Sequence, residues 1–204
     1  TQRNKMLHES SGSLSTTTAQ PERGVATLWG LDATVGKALA GQEACEHAPV
    51  ADATALDVQS APFGAIEPKV LHDVLRLRCD VFVVEQDCPY PDVDGRDAEP
   101  TTVHFWVADG DDVVACLRRL ADPGGVVRLG RIATRADRRG EGHAAAMITA
   151  ALVGVTAPAV LDAQSQMVDW YGRFGFERSG PEFVEDGIPH VPMRRPAPGA
   201  TTGV

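Results

Sequence analysis

Apolar residues begin to recur at helical spacing near Glu67, where Val70, Leu71, Val74 and Leu75 follow Pro68, and this predicts a first helix with proline near its first turn. It leads into a short apolar stretch at 81–84, which reads as strand-like. A turn-rich loop follows at 87–100, with three prolines and five carboxylates. Three β patterns come next, at 102–108 (Val103, Phe105 and Val107 alternating), 113–120 and 126–134. Asp109-Gly110 and Pro123-Gly124-Gly125 supply the turns of this meander. After Gly142, the positions Ala144, Met147, Ile148, Ala151, Leu152 and Val155 follow the rule of a helix packed on a sheet. A strand at 159–163, a helix at 165–174 and two strands around Glu185-Asp186-Gly187 complete the order αβββαβα followed by ββ. That order predicts an α/β fold of mixed sheet and helices.

Before Glu67 the pattern is different. Residues 1–55 are rich in Ser, Thr, Ala and Gly without sustained periodicity, which predicts a disordered or weakly structured extension, with a single domain over 56–196 and a flexible tail over 197–204. A chain of 204 residues has room for one such domain. The uncharged run 144–161 approaches the length of a membrane span, but Pro158 divides it and its alanine content suits a buried helix followed by a buried strand. No membrane partner is expected.

Charge narrows the partners. The formal net charge is −9, and a phosphate backbone is bound by basic stripes, so nucleic acid is not an expected partner. The first 55 residues hold four basic and six acidic residues, so most of the acidity belongs to the folded part and suits a cationic substrate. Cys45, Cys79, Cys88 and Cys116 are irregularly spaced and contain no Cys-x-x-Cys pair. Reduced thiols and a cytoplasmic location are the simplest reading. The loop Asp92-Val93-Asp94-Gly95-Arg96-Asp97 invites a calcium reading, but glycine is not sixth and Val103 stands where an EF-hand needs glutamate, so no metal is expected. The loop reads instead as a surface lid or acidic rim, with Asp94 as a substrate-binding candidate.

The most informative segment is Arg138-Arg139-Gly140-Glu141-Gly142-His143-Ala144, set between a strand and an amphipathic helix. Glycines let the backbone close around a ligand, and the first amides of a helix lack partners, so the segment can cradle a pyrophosphate with Arg139 as counter-charge. It lacks the third glycine of a dinucleotide fingerprint and the Gly-Lys-Ser/Thr of a Walker loop.

Arg139-Gly140-Glu141-Gly142-His143-Ala144 resembles the coenzyme A motif of the GNAT (GCN5-related N-acetyltransferase) superfamily. Within it, Cys79-Asp80-Val81-Phe82-Val83-Val84-Glu85-Gln86-Asp87-Cys88-Pro89-Tyr90, Asp92-Val93-Asp94-Gly95, Tyr171-Gly172-Arg173-Phe174-Gly175-Phe176 and Glu185-Asp186-Gly187-Ile188-Pro189-His190 are similar to the ElaA family. The resemblance implies a mostly antiparallel mixed sheet flanked by helices and splayed between its fourth and fifth strands. It implies acetyl-CoA as co-substrate, bound by Ile132, Ala133 and Thr134 on the fourth strand, by Arg139 to Ala144 (Arg139, Gly140, Glu141, Gly142, His143, Ala144), and by Gln164. Asp137 and Gln164 depart from residues common in the superfamily, the latter keeping an amide where Asn is usual.

Acetyl transfer to an amine needs a neutral nucleophile, a stabilised oxyanion and a proton for the departing thiolate. Tyr171 matches the position of the family's general acid, although an aromatic cluster with Trp170 and Phe174 would also account for it. A backbone N–H near Ala133 or Thr134 would meet the oxyanion. Glu85 is the first candidate for the base, since burial at the end of an apolar run raises proton affinity, but the position equally suits an ion-paired carboxylate. His190 is the second candidate base and a substrate-binding candidate, while His104 and His143 read as structural. The expected function is direct acetyl transfer in a ternary complex to a small amine, a polyamine or a protein amino group. The rival is a non-catalytic acyl-CoA-binding module.

Overall fold

A computed structural model describes residues 56–199. The extension expected over 1–55 and residues 200–204 of the expected tail lie outside the described residues. Among the described residues, eight strands form one sheet in the order β1-β2-β3-β4-β5-β8-β6, with β7 also on β8. They are β1 (Val58–Pro62), β2 (Val103–Asp109), β3 (Asp112–Asp122), β4 (Val126–Thr134), β5 (Ala159–Gln164), β6 (Glu177–Arg178), β7 (Phe183–Glu185) and β8 (Ile188–Arg195). Every pairing is antiparallel except β4 with β5.

Alternation along the strands assigns the two faces. Phe105, Val107, Leu117, Leu129 and Leu161 meet Met147, Ile148 and Ala151 of helix α2 (His143–Leu152) on one face. Trp106, Cys116 and Ala133 meet Val74 and Leu77 of helix α1 (Pro68–Arg78) on the other. Each such fully buried aliphatic side chain contributes about 1.5–3 kcal/mol of transfer free energy. Pro68 occupies the first turn of α1, where its missing N–H costs no hydrogen bond. The uncharged run 144–161 divides into α2 and β5, and no helix among the described residues is long and apolar enough to cross a membrane.

The stretch expected to be strand-like is helical. Cys79–Glu85 continues α1 as a π-helical turn, closed by Gln86 N–H donating to the Val81 carbonyl at 3.1 Å. Its apolar residues serve the same core as α1, with Val81 buried and Phe82 packed beside it. The helix expected at 165–174 is a 3-10 turn, Ser165–Met167, followed by α3 (Val168–Gly172). Strand β1 and the two-residue β6 add to the expected order.

Two features of β4 prepare the site. Its pairing with β5 is confined to Val127↔Ala159 and Arg128↔Val160, so beyond Arg128 the strands diverge and the β4 edge has no strand partner. Its register with β3 also shifts between Cys116↔Ala133 and Arg118↔Gly130, so β4 carries one extra residue there, a bulge at Arg131–Ile132.

Candidate active site

The divergence of β4 and β5 opens a cleft of about 580 Å³. At one end lie Gly140 and Gly142, with φ of +82° and +85°. Only glycine adopts this left-handed backbone without strain, so both glycines are required by the turn that delivers the chain into α2. Gly142 caps α2 without a side-chain bond, and Ala144 and Ala145 line the cleft at the helix N-terminus. This end has the free amides and positive helix dipole that suit a phosphate group.

The charged residues of the cradle are engaged with one another. Arg138 Nε donates to both Glu141 oxygens at 2.9 Å and also pairs with Asp109. Buried His143 shares its Nε2 with Glu141 at 2.9 Å, and Arg138 first, then His143, holds the Glu141 carboxyl below its ordinary range. Arg139 Nη2 donates to Glu85 Oε2 at 2.7 Å and its Nε to the Thr134 carbonyl at 3.2 Å.

Eight of the ten residues expected to bind the donor line the cleft: Ile132, Thr134, Arg139, Gly140, Gly142, His143, Ala144 and Gln164. Ala133 and Glu141 do not. Ala133 is buried under α1, leaving only its backbone to serve the cleft. Glu85 is also off the cleft wall. It ends the π-helical turn, is tied to Arg139, and lines a separate hollow with Arg76, Asp80 and Arg135. One of its carboxylate oxygens is thus already engaged by an arginine that itself lines the cleft.

Tyr171 lies on α3 and on the cleft wall, half-buried, edge-on to Trp170 (centroids 4.9 Å) and to Phe176 (6.3 Å). It therefore belongs to the aromatic cluster and also faces the cleft. Burial pushes the proton affinity of its hydroxyl up, so it stays protonated at neutral pH, and it has no hydrogen-bond partner among the described residues. His190 lines the same cleft, stacked on Phe183 (5.9 Å), with Nδ1 2.9 Å from the Ile188 carbonyl. Only an N–H can satisfy a carbonyl oxygen, so neutral His190 carries its proton on Nδ1 and leaves the lone pair on Nε2.

The loop expected to be a surface lid or an acidic rim is tied into the fold by ion pairs. Asp92 and Asp97 are buried. Arg78 of α1, about 1% exposed, donates Nε to Asp92 Oδ2 at 2.8 Å and Nη1 to Asp97 Oδ1 at 2.6 Å. Arg118 of β3 holds Asp94 through two hydrogen bonds of 2.8 Å and reaches Asp97 at 3.0 Å. Arg131 pairs with Asp92 at 2.8 Å and with Asp94 at 3.3 Å. Buried His104 lies with Nε2 3.0 Å from the Asp97 carbonyl, a structural role. Asp94 lines the cleft, and its charge is answered by Arg118. The unanswered carboxylates are Glu185 and Asp186 at the β7–β8 turn, which line the cleft and form no ion pair among the described residues.

Sequence reasoning missed this network, though it left a signal. Arg78 stands four residues after buried Val74, and Arg118 alternates with buried Cys116 and Leu120, so both arginines interrupt apolar faces. A charge in register with a core must be paired.

The Arg118 pairing has a testable pH dependence. Hydrogen bonds from Arg118, ahead of the opposing effect of burial, bring the Asp94 carboxyl to about 2. A carboxyl depressed in the folded state stabilises above its unfolded value near ~3.9 and loses that stabilisation as pH falls through its folded value. The stability gap between the wild type and Asp94→Asn is therefore expected to be constant above pH ~5 and to close between pH ~4 and ~2. Chemical denaturation at stepped pH measures it, and a gap that stays constant down to pH ~2 would contradict the pairing.

The splayed mixed sheet, the glycine turn into α2 and the unpartnered β4 edge define an acyl-CoA-dependent acyltransferase architecture, and residues 92–196 match the acetyltransferase (GNAT) domain family. The chain belongs to that family, in its ElaA and UPF0039 branch. A UPF0039 protein of Mycobacterium tuberculosis is 47% identical over 139 residues, covering 66% of this chain and 89% of the relative. The crystal structure of Escherichia coli ElaA superposes with a TM-score of 0.64 at 32% identity, covering 68% of this chain and 98% of that one. That of an acyl-CoA N-acyltransferase from Pseudomonas aeruginosa gives 0.65 at 36% identity, covering 69% and 99%.

Proposed function

We propose that this protein transfers an acetyl group from acetyl-CoA to a primary amine within a ternary complex. The observation that carries the reading is that one cleft is walled by a phosphate-accepting helix N-terminus, an unladdered strand edge and an unpartnered, protonated tyrosine hydroxyl. Gly140, Gly142 and the first amides of α2 hold the pyrophosphate, and the β4 edge from Ile132 to Thr134 receives the pantetheine arm. That edge also offers N–H groups to the developing oxyanion. Gln164 lines the same cleft.

The amine must lose a proton before or during attack, because its ordinary pKa near ~10 leaves it charged at neutral pH. With Glu85 tied to Arg139, His190 Nε2 takes that proton, directly or through water. As the new C–N bond forms and the C–S bond breaks, Tyr171 gives its proton to the departing sulfur. Glu185 and Asp186 favour an acceptor that arrives as a cation.

The test is free-thiol release from acetyl-CoA across a panel of monoamines, polyamines and lysine peptides. Amine-dependent release is expected, with cationic acceptors preferred. A rise in melting temperature on adding acetyl-CoA, without turnover of any amine, would replace the enzyme with an acyl-CoA-binding module. No thermal shift would remove both.

A further inference from the structure

Arg131 has φ of +53° inside a strand. Glycine takes that conformation freely, whereas a side-chain-bearing residue must be held in it. The kink falls at the β4 bulge, where the edge facing β5 has already lost its partner.

What holds Arg131 is the Cys-Pro-Tyr-Pro-Asp-Val-Asp block, whose role the proposed chemistry leaves unassigned. The guanidinium is paired with Asp92 and Asp94, donates to the Asp92 carbonyl at 3.3 Å, and lies over the Tyr90 ring at 5.2 Å from its centroid. The Tyr90 hydroxyl in turn donates to Asp92 Oδ1 at 2.7 Å. The far sides of Asp92 and Asp94 are fixed by Arg78 and Arg118. The strap therefore has anchors of its own on α1 and β3, and the Arg131 contacts add a link from that anchored strap to the kink in β4.

We propose that this clamp is a positioning device for acyl transfer: it pins the left-handed kink at Arg131 and so aims the unladdered peptide groups of Ile132, Ala133 and Thr134 at the thioester. The inference rests on the acyltransferase reading above. Glycine at 131 would remove the strain, so the benefit of arginine lies in its side chain, which lines the cleft and whose ion pairs, hydrogen bonds and ring contact among the described residues all go to the strap.

Arg131→Gly is the informative variant, because it keeps the backbone conformation accessible while deleting the clamp. Arg131→Lys keeps the charge and deletes the forked geometry. In Arg131→Gly, amides in 129–134 are expected to exchange about tenfold faster, a sign of local opening. Loss of positioning by this route costs about 10²-fold in kcat, while the acetyl-CoA KM stays within about threefold, since a transition-state contact is what is lost. Arg131→Lys should fall in the same direction.

Each alternative result is decisive. Unchanged exchange in Arg131→Gly removes the clamp. Faster exchange with kcat within about threefold of the wild type leaves a clamp that positions nothing relevant to the reaction. A parallel loss of kcat, KM and melting temperature assigns Arg131 a merely structural role. If the wild type turns over no amine yet binds acetyl-CoA, the acyltransferase reading fails and takes the positioning role with it, and exchange alone then decides whether the kink is clamped.

Discussion

Tyr171→Phe is expected to lower kcat by about 10²- to 10³-fold, within the range for loss of a positioned general acid, and to leave the acetyl-CoA KM within about twofold. The argument starts from the leaving group. An ordinary thiol titrates near ~8.5, so a thiolate can depart unaided, and the acid accelerates the step without being indispensable. Tyr171 meets the two conditions for that role. Burial raises the proton affinity of its hydroxyl, so the proton is present at neutral pH, and no group among the described residues competes for it. Phenylalanine preserves the ring contacts with Trp170 and Phe176 and removes a hydroxyl that bonds nothing among the described residues. The melting temperature should therefore move by less than about 4 °C, corresponding to roughly 1 kcal/mol in a chain of this size. Steady-state kinetics on the wild type and variant decide it: unchanged kcat would return Tyr171 to the aromatic cluster alone.

The chemistry that was legible in the sequence is the chemistry that local backbone demands write down. Gly140 and Gly142 are needed because their φ values are positive, and a turn of that kind before an amphipathic helix is readable without tertiary information. Helix α2 and strands β2 to β4 announce themselves by period. The π-helical turn did not, because four consecutive apolar residues fit a strand and a buried helix equally well. Strand β1 was missed for a related reason: Val58-Gln59-Ser60-Ala61-Pro62 has one strong β-former and ends in proline, which only an edge strand tolerates.

The site residues divide along the same line. Tyr171 and His190 sit on elements whose direction is fixed by nearby sequence, and both face the cleft. The orientation of Glu85 depends on Arg139, 54 residues away, and no pattern around Glu85 encodes that. The carboxylates of 87–100 were read as solvated because a loop rich in proline and aspartate usually is. The environment of Asp92, Asp94 and Asp97 is set by Arg78 and Arg118, which lie on elements legible by apolar periodicity alone. What sequence reasoning took for a rim seeking a cation had its cations supplied from within, and the open acidic positions fell to the β7–β8 turn instead.

Arg78→Met should be the most destabilising single substitution in the buried Arg–Asp network, at about 3–5 kcal/mol, the cost of leaving buried charges without their partner. A domain of this size is stable by only about 5–15 kcal/mol, so the loss is a large fraction of the whole. Arg78 donates to Asp92 and Asp97 side chains and, through Nη2, to the Asp92 carbonyl at 2.8 Å. Methionine fills much of the space but answers none of these acceptors. Asp97 retains Arg118, and Asp92 retains Arg131 and Tyr90, so the collapse is partial. Burial alone would push the Asp97 carboxyl up, yet the hydrogen bonds and charge of Arg78 carry it below its ordinary value. A depressed carboxyl contributes stability above its unfolded value near ~3.9 and loses it as pH falls, so the deficit of Arg78→Met should be full above pH ~5 and shrink below pH ~4. Urea denaturation of the wild type, Arg78→Met and the triple variant with Asp92→Asn and Asp97→Asn separates lost packing from stranded charge. If stranded charge is the cause, the triple variant recovers part of the deficit at neutral pH; if Arg78→Met alone costs less than about 1 kcal/mol there, the buried pairing carries no such weight. A large deficit that the triple variant does not reduce would instead assign the cost to the loss of Arg78's packing and of its bond to the Asp92 carbonyl, since neither is restored by removing charge from its partners.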